Sequence, residues 1–265
     1  EQVLNLLKEH SPQFLPIATL QGECRGASLG QVNRFRGEDH DYAVKLQYPD
    51  SQDNLKMDNQ ALQLVSSTFS NFSKGFEMND YSRVFREELT QELDYERELR
   101  LQQRFHQLFI NDYNIVIPAA FPQYSNGSCL IMNWEAGLSL QEFLECATEE
   151  QQKQAGKLIT KFYIDSVFGA GLIHADPNYG KFAFRLDGNE VQLVVYDFGS
   201  IEELCEEQHL SLLSLFQLCQ QDKNPAPALI MLGFDKDLLE AVYSQLPALM
   251  MVLLDPFFSA QRFAF

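Results

Sequence analysis

The sequence predicts an α+β fold in two lobes, on three observations. Short β-prone runs separated by turn residues fill its first part, helical spacing takes over beyond residue 137, and the composition is that of a globular chain. Of 265 residues, 45% are hydrophobic and 22% charged, which supplies a core without the charge excess of a disordered chain. The lobes are placed at residues 1–133 and 134–265.

In chain order, residues 16–47 carry two turn clusters, around Gly22 to Gly30 and at Gly37-Glu38-Asp39. They separate runs such as Gln31 to Phe35 and Tyr42 to Leu46, an antiparallel meander. Residues 52–70 and 80–109 have helical spacing, the second with Phe85, Leu89 and Leu93 at four-residue steps, so a long half-exposed helix is expected there. Strands follow at Ile115 to Ile117 and Cys129 to Met132, and Glu135-Ala136-Gly137 reads as a connector. Helices are expected at 139–146, 149–169, 206–221 and 236–246, interrupted by a strand pair, Phe182 to Leu186 and Val191 to Tyr196, around the turn Asp187-Gly188-Asn189.

Charge and cysteine content exclude several functions. Lys plus Arg total 20 against 37 Asp plus Glu, and a net charge of -17 argues against a nucleic-acid binder that works by phosphate neutralisation. The charge-free stretch Ala241 to Leu254 contains Pro247 and is shorter than the roughly 20 apolar residues of a membrane span. Cys24, Cys129, Cys146, Cys205 and Cys219 form no C-x-x-C pair, and their odd number reads as reduced, intracellular thiols rather than a zinc site. The chain begins at Glu1 without a methionine and is expected to be a piece of a longer protein.

Four short signals bear on chemistry. Arg25-Gly26-Ala27-Ser28-Leu29-Gly30-Gln31-Val32 puts small residues between two strands, where backbone amides can approach a phosphate; an ordinary hairpin turn has the same pattern. Tyr42-Ala43-Val44-Lys45 is an alternating strand ending in a cation, comparable to the V-A-I-K of kinases, although a lone strand lysine is commonly a solvated edge charge. His174-Ala175-Asp176-Pro177-Asn178-Tyr179-Gly180-Lys181 is an H-x-D loop or a polar turn, and Val194-Val195-Tyr196-Asp197-Phe198-Gly199 delivers a carboxylate to a strand end. In this order they follow the kinase layout for nucleotide and phosphoryl acceptor. A triphosphate needs a cation at its α/β oxygens, which Lys45 can supply. It also needs a carboxylate to hold Mg²⁺, which Asp197 can supply, and Asp176 can receive the acceptor's proton.

The helical string Gln91-Glu92-Leu93-Asp94-Tyr95-Glu96-Arg97-Glu98 places Asp94 and Glu98 at i,i+4, where like charges mildly destabilise a helix unless a cation faces them. A solvated acidic face balanced by Arg97, Arg100 and Arg104 accounts for the charges equally well. Glu-Leu-Asp-Tyr-x-x-Glu nevertheless resembles the signature of the UbiB family of atypical, aarF-domain-containing kinases. Gly26 to Val32 also resembles that family's A-A-A-S-I-G-Q-V loop, which replaces a glycine-rich loop.

The resemblance covers about residues 14 to 215 and implies a protein-kinase-like two-lobed fold. Its N-lobe is small and strand-rich, with a helical insert at residues 50–78 and a long αC-type helix, and its C-lobe is helical. By resemblance the catalytic set is Asp176, Lys45 and Glu98, with Lys45 the nucleotide lysine and Glu98 its ion-pair partner. Glu92 and Asp94 form the E-x-D pair, and Asp197 is the metal ligand. The nucleotide would touch Gly26, Ala27, Ser28, Gly30, Val32, Ala43 and Lys45, with adenine against the hinge Met132, Asn133 and Trp134. The implied cofactors are ATP and Mg²⁺. The implied function is phosphoryl transfer or ATP hydrolysis linked to coenzyme Q or isoprenoid-lipid metabolism. Coenzyme Q biosynthesis proteins or lipid are the expected partners, at an intracellular location, cytoplasmic or peripheral at a membrane.

Three departures from the family pattern stand out. No Lys-x-Gly-Gln motif occurs, Arg25 and Gly26 occupy the first two positions of the alanine-rich loop, and Lys181 stands where the catalytic-loop asparagine should bind a second metal. Lysine has donors only and cannot ligate Mg²⁺. No A-P-E follows Asp197-Phe198-Gly199, so a peptide-binding activation segment is not expected. Two alternatives stay open: a nucleotide-binding pseudokinase scaffold, and a small-molecule phosphotransferase of the aminoglycoside-kinase type, which shares the H-x-D and D-F elements.

Overall fold

The computed structural model describes residues 2–27, 30–49 and 90–258. They form two compact units: residues up to Phe162 together with His174–Ile201, and Tyr163–Ile173 together with residues from Glu202 onward. The first unit contains residues on both sides of the 133/134 position. The expected helix at 52–70 and the insert at 50–78 lie outside the described residues.

The first unit opens with helix α1 (Gln2–His10) and strands β1 (Thr19–Ala27), β2 (Gly30–Arg36) and β3 (Asp41–Gln47). After helix α2 (Tyr95–Phe109) come β4 (Ile115–Val116) and β5 (Cys129–Asn133), and an antiparallel sheet runs β1-β2-β3-β5. The turn expected around Gly22 to Gly30 is instead largely strand. The β1–β2 register shifts between Leu20 and Cys24, and Gly22, at φ +73°, takes the left-handed conformation there that glycine adopts without steric cost.

Strand β3 is central, paired with β2 and β5, and its alternation sorts side chains onto two faces. Tyr42, Val44 and Leu46 enter a core with Leu7, Phe14, Phe35, Cys129 and Ile131. Ala43 faces the other way, packing with Tyr95, Leu130 and Met132, and Lys45 shares that face by the same two-residue period. Each large side chain so buried contributes roughly 1.5–3 kcal/mol.

The expected continuous helix over 80–109 is not what forms. Among described residues, Thr90 to Glu92 are helical, the chain breaks at Leu93-Asp94, and α2 starts anew at Tyr95. The Asp94 carboxylate accepts the backbone N–H of Arg97 at 2.9 Å, capping α2. Asp94 and Glu98 are therefore a cap and a buried first-turn residue, not two like charges on one exposed face.

Helix α3 (Leu140–Cys146) starts with a capping box between Ser139 and Glu142. Helix α4 (Glu149–Ile164) ends earlier than the expected 169, giving way to a π-type turn at Asp165–Gly169. After β6 (Leu172–His174), the hairpin β7 (Phe182–Asp187) and β8 (Glu190–Val195) joins β4 in the order β4-β8-β7. Phe105 of α2 stacks on Phe162 and Phe198 at 5.5 and 5.0 Å between ring centres, so the strand-end motif is anchored by a fully buried Phe198.

The chain continues through β9 (Ile201–Glu203) into α5 (Glu206–Gln220), α6 (Ala226–Met231), α7 (Lys236–Ala241) and α8 (Leu246–Phe258). The second unit packs around Leu215, Cys219, Leu229, Leu239, Leu246 and Leu254. The single helix expected at 236–246 is divided, with α7 ending at Ala241 and α8 beginning at Leu246; Pro247, near the start of α8, is tolerated there. Among described residues no helix is long and apolar enough to cross a membrane. All five cysteines are free, and burial pushes the Cys129 thiol up to about 12.

Candidate functional site

Within the first unit, a cleft of about 500 Å³ opens beside the four-stranded sheet. Val32, Ala43, Met132 and Trp134 give it an apolar side, and Lys45, Asp176, Lys181 and Asp197 a charged one; Gly26, Asn133 and Tyr196 also line it. Residues from all four chemical signals of the sequence therefore border one cavity.

At the inner end, Lys45 is 6% exposed and its Nζ lies 2.8 Å from both carboxylate oxygens of Glu98, which is 1% exposed. The same Nζ is 3.3 Å from Asp197 Oδ1 and 5.1 Å from the centre of the Tyr95 ring. Burial alone would lower the lysine pKa, but Glu98 and Asp197 outweigh it and hold it above the usual lysine range. Burial pushes the Glu98 carboxyl up, to about 7, against the attraction of Lys45. Position 30 belongs to this end too. A Cβ on Gly30 would fall 2.5 Å from the Leu46 carbonyl oxygen and 2.6 Å from the Tyr95 hydroxyl, so only glycine fits above Tyr95.

At the outer end, Lys181 Nζ bridges two aspartates, 2.6 Å from Asp176 Oδ2 and 3.0 Å from Asp197 Oδ2. The Asp197 carboxyl is well below the usual range: burial would raise it, but Lys45, Lys181 and the Gly199 N–H outweigh burial. Burial would lower Lys181, but Asp197 and Asp176 hold it above the lysine range. Asp176 Oδ1 accepts the Asn178 N–H at 3.2 Å, so both its oxygens are engaged. His174 Nε2 donates to the Asp197 carbonyl at 2.9 Å, and burial, then Lys181, holds the imidazole below its usual pKa.

Glu92 approaches the cluster: its Oε2, like Glu98 Oε2 and Asp197 Oδ1, lies within 4 Å of where a side chain on Gly199 would begin. Asp94 does not join it, being exposed and engaged as the α2 cap. Ala27 ends β1, and Ser28 lies outside the described residues. Along Met132 to Trp134, the N–H groups of Asn133 and Trp134 already donate to Ala119 and Asp41 carbonyls, leaving the apolar surfaces of Met132 and Trp134 facing the cleft.

Sequence reasoning missed three contributors. Tyr95 underlies Lys45, and its place in Glu-Leu-Asp-Tyr was a signal. Arg97, read as surface charge balance, instead donates to the carbonyls of Gly199, at 2.9 Å, and of Ile201, bracing the chain after Asp197. Tyr196 donates its hydroxyl to the Glu135 carbonyl at 2.7 Å, fixing the rim opposite the sheet.

Two ammonium groups beside an apolar slot suit a planar base carrying phosphates. The metal set is only half suited. Asp197 is a carboxylate able to face one Mg²⁺, though both its oxygens are held by ammonium groups, and at the second position Lys181 offers no oxygen. Among described residues no group of three or more His, Cys, Asp or Glu side chains is placed to hold a metal ion.

The family model described as the ABC1 atypical kinase-like domain matches residues 23–227. The mitochondrial atypical kinase COQ8 of Schizosaccharomyces pombe is 28% identical over 183 residues, 68% of this chain and 29% of that protein. Mitochondrial atypical kinase coq-8 of Caenorhabditis elegans is 30% identical over 177 residues, 66% of this chain and 23% of that one. The chain thus spans less than a third of the length of these two relatives. Among solved structures, Rv3197 from Mycobacterium tuberculosis, determined with erythromycin, shares the fold with a TM-score of 0.68 and 22% identity, covering 88% of this chain and 59% of that one.

Proposed function

The chain belongs to the ABC1 atypical kinase-like family, the UbiB-type atypical kinases, and has their kinase-like fold, and on that ground we propose that its cleft binds ATP or ADP for phosphoryl transfer or ATP hydrolysis. The observation that carries the proposal is the convergence of Lys45, Asp176 and Asp197 on one cavity whose other side is apolar. The lobe division is part of it: the sheet and α2 form an N-lobe up to residue 133, and the catalytic loop and Asp197 follow from residue 134.

In this reading the base lies against the sheet face that carries Val32, Ala43 and Met132, beside Trp134 and with Gly26 of the β1–β2 hairpin at its edge. Lys45, kept charged and aimed by Glu98, holds α/β-phosphate oxygens. Asp197 is the residue that would hold one Mg²⁺, which when bound supplies charge neutralisation across the phosphates. Asp176 orients the acceptor hydroxyl or water and takes its proton as the new P–O bond forms and ADP leaves. Glu92 adds negative charge beside Gly199, and Asp94 acts through the cap that sets the start of α2.

A link to coenzyme Q or isoprenoid-lipid metabolism, with lipid or coenzyme Q biosynthesis proteins as partners at an intracellular membrane, belongs to the same proposal. It is supported by the motif resemblance and by relatives named COQ8 and mitochondrial. A second reading, nucleotide binding without turnover, is favoured by Lys181 holding Asp176 and Asp197 together. ATP hydrolysis by wild type above an Asp176→Asn control decides between the two. Binding itself is tested by thermal unfolding with ATP or ADP. Saturating nucleotide at 100 times its Kd should add about 2.7 kcal/mol to stability, and an unmoved transition would reject the site.

A further inference from the structure

We infer that the cleft accepts nucleotide phosphates without a divalent cation, because Lys181 places a permanent positive charge where the family pattern calls for a metal-binding asparagine. The inference rests on the nucleotide reading above and specifies which form of the nucleotide the site takes.

Without Lys181, an incoming polyphosphate would meet Asp197 balanced by Lys45 alone and Asp176 with no ammonium beside it at the outer end. Like charges a few ångströms apart repel strongly in a partly buried cleft, which is why such sites ordinarily need a metal to admit phosphates. Here the ammonium sits 2.6 and 3.0 Å from those carboxylates, and its side chain is 14% exposed, so it borders the space a phosphate would enter. Lys45 supplies a second fixed cation, already tied to Asp197 Oδ1 at 3.3 Å. An ammonium also has three donors, so Lys181 can release one carboxylate and donate to a phosphate oxygen while keeping the other. A divalent ion is disfavoured at the second position on both counts: Lys181 offers no oxygen where the asparagine would, and its ammonium, already holding Asp176 and Asp197, repels the ion.

The test is isothermal titration of ATP and of ADP, each in excess EDTA and in excess Mg²⁺, into wild type and Lys181→Asn, with circular dichroism to establish that the variant is folded. Wild type should bind in EDTA within about threefold of its affinity in Mg²⁺. Lys181→Asn should lose metal-free affinity by about 30-fold, roughly 2 kcal/mol, and recover most of it on adding Mg²⁺. Wild-type binding that needs Mg²⁺ by more than about threefold overturns this inference and leaves the nucleotide reading standing. That comparison needs no variant. A folded Lys181→Asn with an unchanged EDTA-to-Mg²⁺ ratio overturns it as well, and absence of nucleotide binding by wild type in either condition overturns both.

Discussion

Lys45 and Lys181 each join two carboxylates in the same cleft, yet the two ends are built differently. The Lys45 side chain is 8% exposed and Glu98 1%, and Tyr95 closes the pair from below. The Lys181 side chain is 14% exposed, and Asp176, its shorter contact, is 42% exposed. A buried pair is expensive to break, because the survivor keeps a charge that water cannot reach; a half-exposed pair can exchange partners at little cost. The inner end is therefore a fixed frame, and the outer end is a place where a phosphate can compete.

Breaking the inner pair should have the largest effect. Lys45→Met leaves Glu98 buried without its cation and should cost about 3–5 kcal/mol at pH 8. The loss should be smaller in acid. Glu98 already has its pKa raised to about 7, so its contribution is intact below the ordinary glutamate value and is lost as pH rises through the folded value. Removing Lys45 raises that value further and extends the loss upward in pH. Urea unfolding between pH 5 and pH 8 measures this, and a variant with pH-independent stability would show that Glu98 is not left buried without a compensating partner.

Asp197→Asn touches both ends and should cost about 2 kcal/mol at neutral pH by leaving two ammonium groups facing a neutral amide. Its sign with pH is opposite to that of Glu98. The Asp197 carboxyl is depressed, so its stabilisation is present above the ordinary aspartate value of about 3.9 and is lost as pH falls through the folded value. The gap between variant and wild type should therefore narrow on acidification. Gly30→Ala should cost about 1–2 kcal/mol by forcing Tyr95 or β3 to shift, read as a lower urea midpoint. Asp176→Asn should be the mildest, below about 1 kcal/mol in stability, because its pair with Lys181 is half in water. A loss as large as that for Lys45→Met would erase the distinction between the two ends.

The two ends also differ in how far they could be read from sequence. Tyr-Ala-Val-Lys-Leu alternates so regularly that its two faces follow from strand geometry, and Glu-Leu-Asp-Tyr-x-x-Glu supplied the acid 53 positions away. The break at Asp94 was not read, because Phe85, Leu89 and Leu93 keep helical spacing up to it. Asp94 with Glu96 and Glu98 in the following turn was nonetheless a usable start signal. At the outer end, Lys181 was recognisable as a departure, but its bridge to Asp176 and Asp197 depends on how a loop and a strand end are brought together, which no local spacing encodes. Arg97 was misread for the same reason: a helix pattern does not say which neighbouring carbonyls an outward arginine will find.

The role of Lys45 as the phosphate-holding cation is tested most directly by calorimetric titration of ADP into wild type and Lys45→Met at pH 6, where the variant is expected to remain folded. Saturable one-to-one binding to wild type is expected, weakened by about 30-fold or more, roughly 2 kcal/mol, in the variant. Equal affinity in the two folded proteins, or no binding to wild type, would contradict that role.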